Sequence, residues 1–256
     1  MIISRYFFEL LLALTQKEIK SRYKHAILGF LWIFINPLIQ MLVLGFVFSL
    51  IFKFGVKNYY LFLFTGLLPW NFFSLALNKA TPKIVYDRNL IQKAKFPRSI
   101  IPLSMVSSHF FHFFVSWLML IIFLLITRQW QFFQPIMFFS QTLAIILLFI
   151  FTSGLSLITS ALNVFYRDIN FITQMMVMLW FYLTPIIYPF SFIPKNFQKI
   201  FYLNPLLTVF NLLQKPVLGF DLPTPVILTH ILIIFLTLIL GFKIFKKKEK
   251  YFADWL

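Results

Sequence analysis

Charged residues divide the chain into long apolar runs. Six runs of 21 to 38 residues contain no Lys, Arg, Asp or Glu, and they cover 26–52, 58–78, 99–127, 129–166, 169–194 and 222–242. About 20 helical residues, rising about 1.5 Å each, cross the hydrocarbon core of a bilayer. The pattern therefore predicts an all-α integral membrane protein, a single transmembrane domain over 1–256. Its six spans are expected at about 26–52, 58–78, 99–127, 135–163, 169–190 and 223–243.

Two features of the sequence keep the predicted number of spans at six. The run 129–166 opens with a polar stretch ending at Pro135, which leaves one long helix after it. The uncharged run 200–214 is only 15 residues long and contains Asn204 and Pro205. It is too short to span, so 195–219 is predicted to be a re-entrant or interfacial segment of short helices before the last span.

The basic residues set the predicted orientation. Of 23 Lys and Arg residues, 17 lie before the first span, between spans two and three, between spans four and five, or after span six. The positive-inside rule then places both termini in the cytoplasm, with 244–256 as a cytoplasmic tail. The net charge of +16 follows from these loops, so nucleic-acid binding is not needed to explain it. With 61% apolar and 12% charged residues, the composition excludes a soluble protein.

The segment 1–25 is predicted to be an amphipathic helix on the cytoplasmic membrane surface. Its apolar side carries Phe8, Leu12, Thr15, Ile19 and Tyr23, and its polar side carries Glu9, Gln16, Lys17, Lys20 and Lys24. Glu18 and Arg22 fit this pattern poorly. The alternative is an ordinary basic flank of the first span.

Two predicted cytoplasmic loops could contact another protein. Loop 79–98 has Pro82 and Pro97 near its ends, and its middle, 85–94, mixes apolar with charged residues. A short docking helix and a solvated loop that only sets topology are equally compatible with this composition. In the shorter loop 165–169, Arg167 beside Asp168 is either a helix-end ion pair or a contact point.

Several transport and enzyme classes lack their usual residues. None of the seven acidic residues lies within an uncharged run, which disfavours transport coupled to protons or sodium. A metal-dependent enzyme acting on lipid phosphates would need clustered carboxylates, whereas the carboxylates of this chain are isolated. No G-x-x-x-x-G-K-[ST] motif is present, so uphill transport would need a separate ATPase subunit. The absence of cysteine excludes disulfides and thiolate metal sites.

Histidines and aromatic rings are the remaining candidate groups. His109 and His112 share one face of the third span, either as a metal or proton site or as neutral imidazoles bonded to neighbouring helices or lining a wet cavity. The second interpretation is favoured because no acidic or cysteine partner is near in sequence. Aromatic residues make up 21% of the chain. Composition favours packing for any single ring, yet rings near the outer ends of the spans could line a route for sugars.

Seven motifs carry a resemblance to a known family. They are the amphipathic basic N-terminus, GFLW at 29–32 with NP at 36–37, GLLPWNF at 66–72, FPR at 96–98, YRDI at 166–169, TPIIYP at 184–189 and NPL at 204–206. In this order, over essentially the whole chain, they resemble the permease subunit of type-2 ABC exporters. The nearest branch is the polysaccharide one, the Wzm-like permeases that export lipid-linked O antigen, capsule or teichoic acid.

The resemblance implies a homodimer in the cell inner membrane, bound to two cytoplasmic ATPase subunits that hold ATP and Mg. This chain would then have no cofactor and no catalytic residue of its own. Implied ATPase-coupling residues are Asp87, Arg88, Asn89, Leu90, Ile91, Lys93, Arg98, Arg167 and Asp168. Implied substrate-headgroup cations are Lys20, Arg22 and Lys24. Implied channel aromatics are Tyr59, Tyr60, Trp70, Trp180, Tyr182 and Tyr188.

One departure and two alternatives stand beside this resemblance. Where relatives often have an acid and then an Arg after the NPL motif, this chain has Asn211 and Gln214. A role for charge at the channel exit is therefore not carried over. A permease for another lipid or a drug, and a membrane enzyme of lipid-linked sugar metabolism, are the alternative functions.

Overall fold

A computed structural model describes residues 2–24, 28–52, 58–128, 134–218 and 220–256. Within these ranges the chain is helical, with no strand. The helices are α1 Ile2–Tyr23, α2 Trp32–Phe52, α3 Tyr59–Tyr86, α4 Arg88–Lys93, α5 Ile100–Ile126, α6 Pro135–Phe165, α7 Asp168–Tyr182, α8 Lys195–Phe201, α9 Leu206–Leu218, α10 Thr224–Lys248 and α11 Phe252–Trp255. Short 3-10 turns lie at Gly29–Leu31, Phe190–Phe192 and Glu249–Tyr251.

Five of the described helices are long and apolar enough to cross a membrane. They are α2, α3, α5, α6 and α10, and they lie where the sequence predicts spans one to four and six. In hydrocarbon a helix satisfies its own backbone hydrogen bonds, so these uncharged runs form helices. Three of them continue past their predicted ends, α3 to Tyr86, α6 to Phe165 and α10 to Lys248.

The predicted span at 169–190 differs from the other five. Helix α7 has 15 residues and ends at Tyr182, and is therefore about 22 Å long, shorter than the hydrocarbon core of about 30 Å. Pro185 and Pro189 follow within an irregular segment, 183–189, because proline lacks the N–H that a helix needs. The count of six spans is thus not confirmed.

Asn204 bonds the polar groups at the start of segment 183–189. Its Nδ2 donates to the Leu183 carbonyl at 3.0 Å and to Thr184 Oγ1 at 2.9 Å. Its Oδ1 accepts from Trp180 Nε1 and from the Leu206 backbone N–H, both at 3.0 Å. Four hydrogen bonds from one amide join the end of α7 to the start of α9, which explains why an Asn stands before Pro205 in an apolar run.

Helix α3 lies at the centre of the bundle. It contacts α2, α5, α6, α7 and α9. In the most apolar 18 residues of α3, 67% of the positions are buried, compared with 17% in the same length of α2. Phe62, Phe73 and Leu63 are among its fully buried side chains. The core therefore forms around α3, with α2 at the periphery.

Two glycines bring the backbones of α6 and α10 into contact. A Cβ built on Gly154 would lie 2.8 Å from the Leu238 Cα, and one on Gly241 would lie 2.6 Å from the Gly154 carbonyl oxygen. Both distances are too short for a real side chain, and the obstacle in each case is backbone. This contact makes α6 and α10 a closely packed pair.

We expect Gly154→Ala to destabilise the protein by about 2 kcal/mol, the range for overpacking. In an unconstrained helix the same change stabilises the folded state by about 0.5–1 kcal/mol. The sign of the change in the free energy of unfolding therefore distinguishes a close backbone contact from an open helix position. Gly45→Ala is the control, because the three atoms nearest to its Cβ all belong to the half-exposed Tyr60 ring, a side chain that can move. Thermal unfolding in detergent measures both, and equal melting temperatures for Gly154→Ala and wild type would contradict the packing.

Asn204→Leu should be more damaging, by roughly 3 kcal/mol, because it leaves several buried polar groups unpaired at about 1–3 kcal/mol each. Asn196→Leu, at an exposed position of α8, is the matched control and should change stability little. Thermal unfolding again gives the comparison. The role assigned to Asn204 fails if the two variants unfold at the same temperature.

Candidate functional site

Helix α1 is bonded to α5 through Arg22. Its Nη1 donates to His112 Nδ1 at 3.0 Å and its Nη2 donates to His109 Nε2 at 2.8 Å. A guanidinium is always a donor, so each of these ring nitrogens accepts and carries no proton. The two imidazoles thus bond to a neighbouring helix, one of the roles that the sequence favours for them.

A second contact joins α1 to α3 and to the start of α4. Lys83 Nζ lies 3.0 Å from Glu18 Oε1 and 3.3 Å from Asp87 Oδ2, and the three side chains are mostly buried. Glu18 and Arg22 are the two residues that fit the amphipathic pattern of α1 poorly. Both contact the helix bundle: the Glu18 side chain is mostly buried, whereas Arg22 is exposed overall but its guanidinium bonds to the two histidines of α5.

A cavity of about 700 Å³ lies among α1, α2, α3 and α5, and is named here the polar cavity. Its polar lining includes Arg22, Asn36, Gln40, Asn71, His109 and His112. One guanidinium and several amides offer hydrogen-bond donors among apolar helices, where polar groups are costly unless they are bonded to a ligand or a partner. This arrangement suits an anionic group that carries hydroxyls or phosphate oxygens.

A second cavity, of about 560 Å³, lies among α2, α3 and α7 and is named the α7-side cavity. Its lining includes Trp70, Tyr182, Asn78 and Gln174. Gln40 and Asn71 line both this cavity and the polar cavity, and Asn71 Nδ2 donates to Gln40 Oε1 at 2.8 Å between them. Aromatic faces beside amides are suited to sugars, which present C–H faces and hydroxyls together.

The described structure separates the six aromatics that the resemblance implies for the channel. Trp70 and Tyr182 line the α7-side cavity. Tyr59 is buried and donates to the Ile187 carbonyl at 2.7 Å, and Trp180 donates to Asn204. These two rings stabilise segment 183–189.

The remaining two aromatics have different surroundings. The Tyr188 hydroxyl donates to the Tyr182 carbonyl, and the Tyr60 ring lies against Gly45 of α2, on another side of α3 from Tyr59. The channel role of the six aromatics stays a prediction. Tyr60 is half exposed, whereas Tyr59 is buried.

The predicted headgroup cations also separate. All three are exposed, and Arg22 lines the polar cavity whereas Lys20 and Lys24 do not. The amides of Asn36, Gln40 and Asn71 are cavity groups that the sequence reasoning missed. Their signal was present, since polar side chains inside an apolar span are unusual.

Helix α4 divides the predicted coupling residues into an exposed face and a buried one. Arg88, Asn89 and Lys93 are exposed, and Leu90 is half-buried. Ile91 is only 3% exposed and packs in a cluster that includes Phe252. The exposed face therefore excludes Ile91, one of the apolar side chains considered for docking.

The segment 249–256 packs beside both predicted coupling loops, and the sequence reasoning missed it. Phe252 and Trp255 make ring contacts with Phe165, at the end of α6. Arg98 donates to the Glu249 carbonyl, which joins the end of loop 79–98 to the same segment. The signal was the aromatic pair after a lysine run, which is unusual for a free solvated tail.

Arg167 and Asp168 are both exposed in the turn between α6 and α7. Arg167 donates to the Asn163 carbonyl at 3.4 Å. Asp168 begins α7, where its carboxylate interacts favourably with the positive end of the helix dipole. Their contact with an ATPase stays a prediction.

Comparison with known proteins identifies the family. A family model described as ABC-2 type transporter matches residues 9–218. An O-antigen export system permease protein RfbA of Klebsiella pneumoniae is 35% identical, over 98% of this chain and 96% of its own length. A Myxococcus xanthus protein of the same name is 32% identical over 80% of this chain and 78% of its own length.

A more distant relative is the polysialic acid transport protein KpsM of Escherichia coli, 24% identical over 93% of each chain. The relatives are thus named as transport proteins, and the apolar helices α2, α3, α5, α6 and α10 agree with a multi-pass membrane location. The confirmed resemblance and these helices show that the chain is a membrane permease of the ABC-2 transporter family.

Proposed function

We propose that this chain is the membrane-spanning channel subunit of an ATP-driven exporter of a lipid-linked polysaccharide, of the O-antigen, capsule or teichoic-acid type. The glycan would move from the cytoplasmic to the outer side of the cell inner membrane. The names of the relatives support polysaccharide as the substrate class. The observation that carries the proposal is the polar cavity beside the aromatic and amide lining of the α7-side cavity.

The proposed topology has both termini in the cytoplasm. Helix α7 and segment 183–189 together make the fifth crossing, and the short helices α8 and α9 form the re-entrant segment at the outer side. The distribution of basic residues supports this orientation. Phe8 and Leu12 are exposed on α1, as expected of a helix that lies against lipid at the cytoplasmic surface.

The proposed assembly is a homodimer with two cytoplasmic ATPase subunits that bind ATP and Mg. The chain has no phosphate-binding loop motif, so the nucleotide is bound elsewhere. The ATPase docks on the exposed face of α4 and on the turn that contains Arg167 and Asp168. Segment 249–256 supports both elements from within this chain.

The ion pairs suggest how ATPase closure reaches the substrate. A displacement of α4 acts on Asp87, which is paired with Lys83 of α3, and Lys83 is paired with Glu18 of α1. Helix α1 carries Arg22 into the wall of the polar cavity. Movement of α4 therefore alters the cavity that receives the phosphate of the substrate, while sugars pass over the aromatic and amide surface.

Purification from native membranes in mild detergent tests the transporter class. We expect an ABC ATPase subunit near one-to-one with this chain, together with ATP hydrolysis in the eluate. Depletion of the chain should cause lipid-linked glycan to accumulate on the cytoplasmic side, as mass spectrometry of the lipid extract would show. An intact preparation with no ATPase would refute the proposal.

Lys83→Met tests the coupling route. Removing the charge shared by Glu18 and Asp87 should lower the glycan exported per ATP hydrolysed by about tenfold, the equivalent of roughly 1.4 kcal/mol in the coupling step. The control is Lys79→Met, one helical turn away on α3 at an exposed position. Export and hydrolysis are measured on the same vesicles, and an unchanged ratio in Lys83→Met would remove the route.

A further inference from the structure

A third cavity extends the polar cavity into an apolar region. It has about 600 Å³, lies among α2, α3 and α5, and is named here the apolar groove. Its lining includes Phe34, Leu38, Leu61, Met119 and Phe123. Nine of its 13 lining residues have apolar side chains, so it is more apolar than the polar cavity. The polar residues in its lining are Asn58, Tyr60, Ser116 and Thr127.

The polar cavity and the apolar groove adjoin. Ser116 of α5 lines both, and the same turns of α2 line the polar cavity on one side and the groove on a neighbouring side. From Ser116 the groove follows α5 to Thr127, about 16 Å at 1.5 Å per residue, or half of the hydrocarbon core. The polar cavity follows α5 in the opposite direction, to His109.

The combined site has one cationic end and one apolar end, so its ligand must be amphiphilic. Arg22 at the polar end recognises phosphate, because a guanidinium presents its donors in a fork that matches phosphate oxygens. A hydrocarbon chain fits the groove between Ser116 and Thr127, where the α5 lining residues Met119, Leu120, Phe123 and Leu124 are apolar. The ligand lies with its phosphate towards α1, the orientation of a lipid in the leaflet that contacts α1.

We propose that the polar cavity and the apolar groove together bind the phosphate-headed lipid anchor of the exported glycan. The inference rests on the proposed function and deepens it, by assigning the anchor to a site within one subunit. The phosphate binds at Arg22 and the chain lies along Phe34, Leu61 and Phe123. The sugars then extend past Gln40 and Asn71 into the α7-side cavity, which shares those two residues.

The test uses the full chain in phosphatidylcholine nanodiscs with its ATPase. The probe is a polyprenyl monophosphate that carries a photoreactive diazirine in its chain, and labelled peptides are mapped by mass spectrometry. We expect label on the groove-lining turns of α2, α3 and α5. A polyprenol probe without the phosphate should label about tenfold less, as loss of a charged hydrogen-bonded contact predicts.

Two matched pairs of variants locate the ends of the site. Met119→Trp fills the groove and should lower labelling about tenfold. The control is Leu118→Trp, which should leave labelling unchanged. Leu118 is the neighbouring residue outside the groove, and it is 42% exposed compared with 45% for Met119. Arg22→Gln should remove the preference for the phosphate probe over the polyprenol. Lys17→Gln, exposed on α1 and outside the cavity, should retain that preference.

The contrary outcomes are specific. Equal labelling of Met119→Trp and wild type, or crosslinks that join two copies of this chain across the groove, would overturn the proposal. So would displacement of the probe by phosphatidylglycerol as effectively as by unlabelled polyprenyl phosphate, since that would make the ligand bulk anionic lipid. Labelling outside the groove with export intact refutes only the anchor site, whereas absence of an ATPase partner refutes the proposed function.

Discussion

Every backbone N–H and C=O that is buried away from water needs a partner within the protein, and this requirement is hardest to meet in the buried, irregular segment where α7 ends. The chain meets it with side chains brought from elsewhere in the sequence. Asn204 bonds the last turn of α7 and the residues after it, and Tyr59 of α3 bonds the Ile187 carbonyl. His230 of α10 similarly joins Thr208 Oγ1 at 2.7 Å and the Tyr202 carbonyl at 2.9 Å.

Hydrogen bonds and ion pairs also position the walls of two cavities. Because segment 183–189 is held against α3 and α9, the preceding helix α7 presents Tyr182 and Gln174 to the α7-side cavity. At the opposite end, α1 is held by Arg22 and Glu18 and forms one wall of the polar cavity. Helix α2 separates the cavities and is less buried than α3. A shift of α2 would therefore break fewer buried contacts than a shift of α3 if the cavities change shape.

The sequence predicted those features that depend on charge and length. Five long helices lie where uncharged runs exceed the bilayer thickness, because each is bounded by charged residues. The end of α7 could not be placed by counting, since Pro185 lies inside an uncharged run of sufficient length. The sequence also could not show that the adjacent residues Tyr59 and Tyr60 differ in exposure, because tertiary contacts decide it: Tyr59 is buried against segment 183–189, and Tyr60 lies against α2 and is half exposed.

The site shows the same division. Arg22 and Glu18 were visible as exceptions to an amphipathic pattern, but their partners His109, His112 and Lys83 are distant in sequence. Ile91 looked available for docking because a six-residue helix carries too few positions to distinguish its two faces. Tertiary contact with Phe252 decides its burial, and no local pattern contains that information.

The reciprocal glycines of α6 and α10 have a consequence for how the protein can diverge. In most helix contacts a larger side chain on one helix is accommodated by a smaller one on the other, so the two positions can be substituted together. Here the obstacle to each glycine's Cβ is main chain, which has no smaller alternative. Divergence at Gly154 or Gly241 therefore requires the two helices to separate, and this seam should vary least among proteins that keep the same bundle while exporting different glycans.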